Sequence, residues 1–167
     1  GKYMDTVVKF AKVKEGAQIP SKRDEDMGFD IYACFDEDYI KIYPHETKLI
    51  PTGIASACDA EYGFLIFERG STGSKGIARR CGNEWFIGLT NTTDNLLFIS
   101  KLTKEELIEK DNESLHSDVF KKVFKSLNDS LWEDVIVYPY TKAIAQALVV
   151  PVPKTSIEEV SYEDLKN

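Results

Sequence analysis

Lys48-Leu49-Ile50-Pro51-Thr52-Gly53-Ile54-Ala55-Ser56-Ala57 decides how this chain reads. Two short apolar runs flank Pro-Thr-Gly, a pattern of strand, turn and strand. Proline and glycine punctuate the run and rule out a helix through it. The same rhythm extends both ways. Upstream, Val7-Val8-Lys9-Phe10-Ala11-Lys12-Val13 alternates after its first pair, as a half-buried strand does. Asp30–Phe35 and Tyr39–Tyr43 follow, the latter closed by Pro44. Downstream, Gly63-Phe64-Leu65-Ile66-Phe67 is wholly apolar and predicts a central strand. Trp85 to Leu89 and Leu96 to Ile99 continue the series. Short strands with regular turn signals predict an all-β sandwich or barrel.

The rhythm breaks near residue 100. Thr103-Lys104-Glu105-Glu106 has the form of a capping box, with Thr103 as N-cap and Glu106 at the third helical position. A second helix is predicted over Leu115–Leu127, with Leu115, Val119, Phe120, Val123, Phe124 and Leu127 on one face. Strands return at Asp134–Tyr138 and Ala143–Val150, which Pro151 and Pro153 end. The expected organisation is a first part of a β core over 1–99, a helical insert over 100–133 and the last core strands over 134–154. An acidic tail, expected to be mobile, occupies 155–167.

Composition narrows the function. The 167 residues suffice for one domain with a real core, and 43% are apolar. No apolar run is long enough for a membrane helix, and the first residues lack the order of a signal peptide. Three cysteines at scattered spacing (Cys34, Cys58, Cys81) fit a reducing, cytoplasmic setting rather than a disulfide framework. A net charge of −7 argues against nucleic acid as a partner. Two histidines, His45 and His116, leave no material for a His-rich zinc site and little for Ser-His chemistry. Chemistry must rest on carboxylates, Arg and Lys, backbone amides or a bound cation.

Three constellations fit that description. In Asp24-Glu25-Asp26-Met27-Gly28-Phe29-Asp30, Asp30 stands at a strand start, where a carboxylate can hold the waters of a hard cation. On composition alone, the same run reads more readily as a solvated acidic turn. Glu68-Arg69-Gly70-Ser71-Thr72-Gly73-Ser74-Lys75-Gly76 follows the apolar strand, and its glycines let backbone amides approach an anion. Its spacing does not fit the nucleotide P-loop, and an ordinary Gly/Ser turn competes. Gln146 sits in an otherwise apolar strand and needs a partner, either a neighbouring backbone group or a ligand phosphate.

Together these segments resemble the trimeric dUTPase family. Ile19-Pro20-Ser21-Lys22 with Asp26-Met27-Gly28-Phe29-Asp30-Ile31 is similar to the first family motif and its approach. Pro44-His45-Glu46-Thr47-Lys48-Leu49-Ile50-Pro51-Thr52-Gly53-Ile54 is similar to P-x-E-T-x-L-[IV]-P-T-G-[IL]. Arg69–Gly76 resembles the second motif, and Ala143-Ile144-Ala145-Gln146-Ala147-Leu148-Val149 the fourth, R-I-A-Q-L-V. The resemblance implies a jelly-roll subunit with a small helical insert, of a kind some phage members carry, assembled as a homotrimer. It implies Mg2+-assisted hydrolysis of dUTP to dUMP and pyrophosphate, by attack of water on the α-phosphorus. Asp30 would hold magnesium through water. Arg69, Gly70, Ser71, Thr72, Lys75 and Gly82 would bind substrate, and Gln146 would contact the α-phosphate. Asp30, Arg69 and Gln146 are the implied catalytic residues.

The chain departs from the family in two places. The third motif, G-[VIL]-I-D-S-x-[YF]-R-G-E, supplies the uracil hairpin, an Asp that activates water and a ring under the sugar. Here Gly82 runs directly into Asn83-Glu84-Trp85, so the motif's opening and close are present without its middle. The Gly-rich fifth motif has no counterpart before Asn167. Glu68 and Gly70 also stand where Pro and Ser are usual. Two other functions compete. A dCTP deaminase shares the jelly roll, but its Ser-Ser-x-x-Arg-type signature is not found. A catalytically impaired protein could instead use residues 100–133 to dock a protein partner. In the plainer alternative, Phe120, Phe124 and Trp132 simply cap a sheet edge or flank.

Overall fold

A computed structural model describes residues 6–57, 61–68, 73–76, 83–113 and 131–167. Ten strands are seen among them. These are β1 (Lys9–Lys12), β2 (Phe29–Ile31), β3 (Tyr39–Ile42), β4 (Thr47–Ala57), β5 (Tyr62–Glu68), β6 (Gly73–Gly76), β7 (Glu84–Thr90), β8 (Leu97–Ser100), β9 (Ile136–Pro139) and β10 (Ala145–Pro151). They form three sheets, ordered β1-β4-β7-β6, β2-β10-β5 and β3-β8-β9. Every pairing is antiparallel except β8 with β9. The expected all-β, jelly-roll class is therefore what the chain adopts.

One core serves all three sheets. Ile31, Ile42, Ile50, Ile54, Trp85, Ile87, Leu89, Leu97, Ile99 and Ile144 are all but sealed from water. An aromatic seam ties the first sheet to the second. Phe10 meets Phe29 edge-on at 5.5 Å and Trp85 at 5.8 Å, and Phe64 meets Trp85 at 4.8 Å. The Trp85 indole N–H donates to Ser56 Oγ at 2.9 Å, so the largest core side chain hides no unsatisfied donor.

Pro51-Thr52-Gly53 is not a turn. Thr47–Ala57 is one strand, with an irregular register against β7 between Pro51 and Ala55. Three distant groups hold this bulge. Cys34 N–H donates to Pro51 O, Val13 N–H to Gly53 O, and Thr52 Oγ1 donates to Trp85 O at 2.6 Å. Gly53 has a φ of 69°, and a Cβ there would lie 2.8 Å from the Ala17 side chain. Turn-forming residues thus kink a strand, because partners far along the chain satisfy its backbone.

Gly63–Phe67 is also placed differently from the expectation. β5 is an edge of its sheet, and β10 is the centre. Phe64 and Ile66 pack on the core, whereas Leu65 and Phe67 are 49% and 45% exposed on the outer face. The apolar run records two apolar faces, not two flanking strands.

The helical segment begins as its capping box requires. Glu106 N–H donates to Thr103 Oγ1 at 3.2 Å and Thr103 N–H to Glu106 Oε1 at 3.3 Å, opening α1 (Lys104–Glu113). The helix lies against β3-β8-β9. Leu107 is buried, Lys110 bonds Asp38 at 2.8 Å, and Lys104 reaches Val135 O at 3.1 Å. Trp132 stacks on Phe98 at 5.3 Å, and Phe98 is only 3% exposed. The helix expected over Leu115–Leu127, with Phe120 and Phe124, lies outside the described residues. Residues 155–167 are exposed and contain a short helix, α2 (Tyr162–Lys166), capped by Ser161.

Candidate functional site

The β2-β10-β5 sheet brings two of the three expected catalytic residues side by side. Gln146 of β10 is in register with Asp30 of β2 on one side and Phe67 of β5 on the other. Directly paired residues share a face, so Asp30, Gln146 and Phe67 form one row across the sheet. The row faces outward. Its neighbours Phe29, Ile31, Ala145 and Ala147 are buried on the inner face, whereas Asp30 and Gln146 are partly exposed. Alternation alone accomplishes this: Phe29 anchors in the aromatic seam and thereby turns Asp30 outward.

The rest of the acidic run serves another purpose. Arg23 holds Asp26 through its Nε and Nη2 atoms, both at 3.1 Å, and pairs with Glu25 at 3.4 Å. Hydrogen bonding to Arg23 keeps the Asp26 carboxyl below its usual range, and the same bond raises the guanidinium. Lys22 also donates to Asp26 O at 3.0 Å. Asp26 is thus committed to a local clasp, and Asp30 is the carboxylate delivered to the sheet.

Arg69, Gly70, Ser71, Thr72 and Gly82 lie outside the described residues. The strands around them fix where the chain leaves and returns. β5 ends at Glu68, one residue beyond the Phe67–Gln146–Asp30 row, at the end of the sheet where β10 begins. β6 then starts at Gly73 on the edge of the four-stranded sheet. Glu68 and Gly73, on two different sheets, thus bracket 69–72, and Glu68 is in register with Ala145, next to Gln146. Lys75 lies in β6, in register with Gly88.

Residues that sequence reasoning did not single out also shape the face. Gly28 is buried, and a Cβ there would lie 2.8 Å from Gln146 Cγ. An unpaired glycine just before a strand was the available signal. Glu84, at the start of β7, accepts from Gly53 N–H at 3.1 Å and pairs with Lys14 at 3.3 Å, which fastens the start of β7 to the β4 bulge. A polar cavity of about 380 Å³ lies elsewhere, lined by Lys14, Glu15, Cys34, Asp36, Lys101 and Tyr140, and contains none of the expected site residues. Cys34 is a free, buried thiol there. Burial raises the Tyr140 hydroxyl above its ordinary range.

No group of three or more His, Cys, Asp and Glu side chains that could hold a metal is found among the described residues. The Asp30 carboxylate, partly exposed in register with Gln146, fits a hard cation held through water and by the oxygens of a ligand, not an all-protein cage. Among the described residues, no helix is long and apolar enough to cross a membrane.

The chain and its fold resemble known proteins. A match to the dUTPase family covers residues 14–104, more than half of the chain. The fold is similar to a mutant dUTPase of Staphylococcus bacteriophage 80alpha bound to dUpNHpp, with a TM-score of 0.58 and 14% identity over 92% of this chain and 88% of that one. It is similar to the dUTPase of phage phi11 of S. aureus, with a TM-score of 0.58 and 14% identity over 92% of this chain and 96% of that one. A mutant phi11 enzyme described with a coordinated structural Mg(II) ion gives a TM-score of 0.56 and 14% identity, over 94% of this chain and 99% of that one.

Proposed function

The chain belongs to the dUTPase family, and from that premise we propose that it hydrolyses dUTP to dUMP and pyrophosphate. The observation that carries this reading is the register of Asp30 opposite Gln146, at the point where the 69–72 link leaves the sheet. In the proposed complex, Asp30 holds waters of a magnesium ion, and Gln146 donates its amide N–H to an α-phosphate oxygen. Arg69, Ser71 and the amides around Gly70 and Thr72 receive the remaining phosphate oxygens, with Lys75 and Gly82 flanking them. Magnesium, when bound, supplies neutralisation of charge on the triphosphate. The contribution of these side chains is positioning and charge, which suits phosphoryl chemistry. The assembly is a homotrimer. Residues 1–99 and 134–154 form the core, 100–133 an insert and 155–167 a tail, in a cytoplasmic protein.

The test is magnesium-dependent pyrophosphate release with dUTP, dTTP and UTP. Turnover of dUTP above that of dTTP and UTP is the expected result. Gly82 is bonded directly to Asn83, so the chain must achieve this without the middle of the family's third motif. Phosphate binding with no dUTP turnover would overturn the enzymatic reading.

A further inference from the structure

We propose that Gly28 is a positioning residue: the absence of its side chain holds the amide arm of Gln146 in its place beside Asp30. This inference rests on the reading of Gln146 as a phosphate contact and deepens it. Gly28 is buried, yet its φ is not in the left-handed region, so glycine is not there for a special torsion. It is there for space. A Cβ would lie 2.8 Å from Gln146 Cγ, 2.8 Å from Ala147 O and 3.1 Å from Leu148 Cδ1. Real Cβ atoms do not approach so closely, so something must yield.

The contacts determine what yields. Ala147 is in register with Phe29, whose ring packs in the seam with Phe10 and Phe64, so the strand is poorly placed to move. Gln146 Cγ is the mobile neighbour, and it is the pivot from which the amide projects. Displacing it forces another side-chain rotamer and swings the amide away from the Asp30 row. A methyl group at position 28 thus separates the two polar groups that the sheet aligns, without touching substrate.

The experiment is a cycle of Gly28→Ala, Gln146→Ala and the double variant in the full chain. It follows kcat and KM for dUTP with magnesium, thermal unfolding, and the side-chain amide NMR signals of Gln146, identified by their loss in Gln146→Ala. Gly28→Ala alone is expected to lower kcat by roughly tenfold to 100-fold with KM changed by less than about threefold, as a misplaced positioning group does. In the Gln146→Ala background, where Cγ is gone, the same change should cost less than about threefold in kcat, a clear failure of additivity. The Gln146 amide signals should shift in Gly28→Ala while the Trp85 indole signal stays. Should Gly28→Ala fold poorly, the double variant should recover part of the stability, because Gln146 Cγ has been removed while Ala147 O remains. Equal losses in both backgrounds, unmoved amide signals, or no recovery in the double variant would overturn the proposal, leaving Gly28 a matter of strand packing. Absence of turnover in the unaltered chain would instead sink the functional reading, while the amide signals and the stability cycle still report on the contact.

Discussion

Two three-stranded sheets of this molecule, β2-β10-β5 and β3-β8-β9, differ in what lies on their outer faces. On β3-β8-β9 the chain covers itself: α1 brings Leu107 down and Trp132 stacks on Phe98. On β2-β10-β5 the outer row of Asp30, Gln146 and Phe67 stays partly exposed. Leu65 and Phe67 remain about half exposed beside Asp30 and Gln146. Covering a face contributes stability through apolar burial, whereas an open face leaves polar groups accessible to a ligand. The same sheet design therefore serves two ends, and the covering segment decides which.

Substitutions should separate the two faces. The largest effect is expected at the proposed phosphate site. Arg69→Ala should remove transition-state stabilisation of about 2.7–4 kcal/mol, the range for one lost contact to developing charge, with little change in the unfolding midpoint. Near-normal pyrophosphate release by the folded variant would break the comparison. At the covered face, Leu107→Ala should leave the turnover of folded protein alone and lower stability by about 2–3 kcal/mol, the lower part of the range for buried leucine. Chemical denaturation read beside activity distinguishes this from an effect on the site. Thr103→Ala removes the acceptor of the capping box and should cost about 1 kcal/mol, with the loss seen first as faster amide exchange in α1.

The smallest effect is on pH. Hydrogen bonding to Lys110 holds the Asp38 carboxyl below its ordinary range. A depressed carboxyl contributes stability that is present above the unfolded pKa of about 3.9 and is lost as pH falls through the lower folded value. The clip between α1 and β3 should thus be intact at neutral pH and weaken only in strong acid, and salt should screen it. Asp38→Asn should flatten that acid limb of the unfolding curve slightly; an unchanged limb would show that the pair is idle.

Local chemistry was legible in the sequence where it acts over a few residues. Sequence pattern located the strands apart from β6, whose Gly73–Gly76 read as a turn, and Thr103-Lys104-Glu105-Glu106 located the start of α1, because a capping box is complete within one turn. Pro51-Thr52-Gly53 misled because the groups that make it a bulge, Val13, Cys34 and Trp85, lie far away in sequence. The apolar run of β5 misled because periodicity reports what a face touches and not which strands flank it. The helix α2 hid in an acidic stretch, although Ser161 followed by Asp164 is a capping pattern of the kind that revealed α1. Asp30 and Gln146 could be named from their types and from family resemblance. Their register could not, since only pairing across the whole chain sets it. Gly28 was visible as a residue, but its contact with Gln146 required the coordinates.

The placement of β10 also sets the order in which the molecule can be made. Its two neighbours, β2 and β5, emerge from the ribosome early, yet the strand that joins them arrives only with Ala145–Pro151. Until then both expose unpaired edges, and Asp30 has no Gln146 across from it. Such late, long-range closure is slow, and it leaves the nascent chain open to edge-to-edge association. The polar pair is therefore among the last features to form during synthesis, so a ribosome that stalls before residue 145 releases a chain with most of its β-structure encoded and no assembled pair.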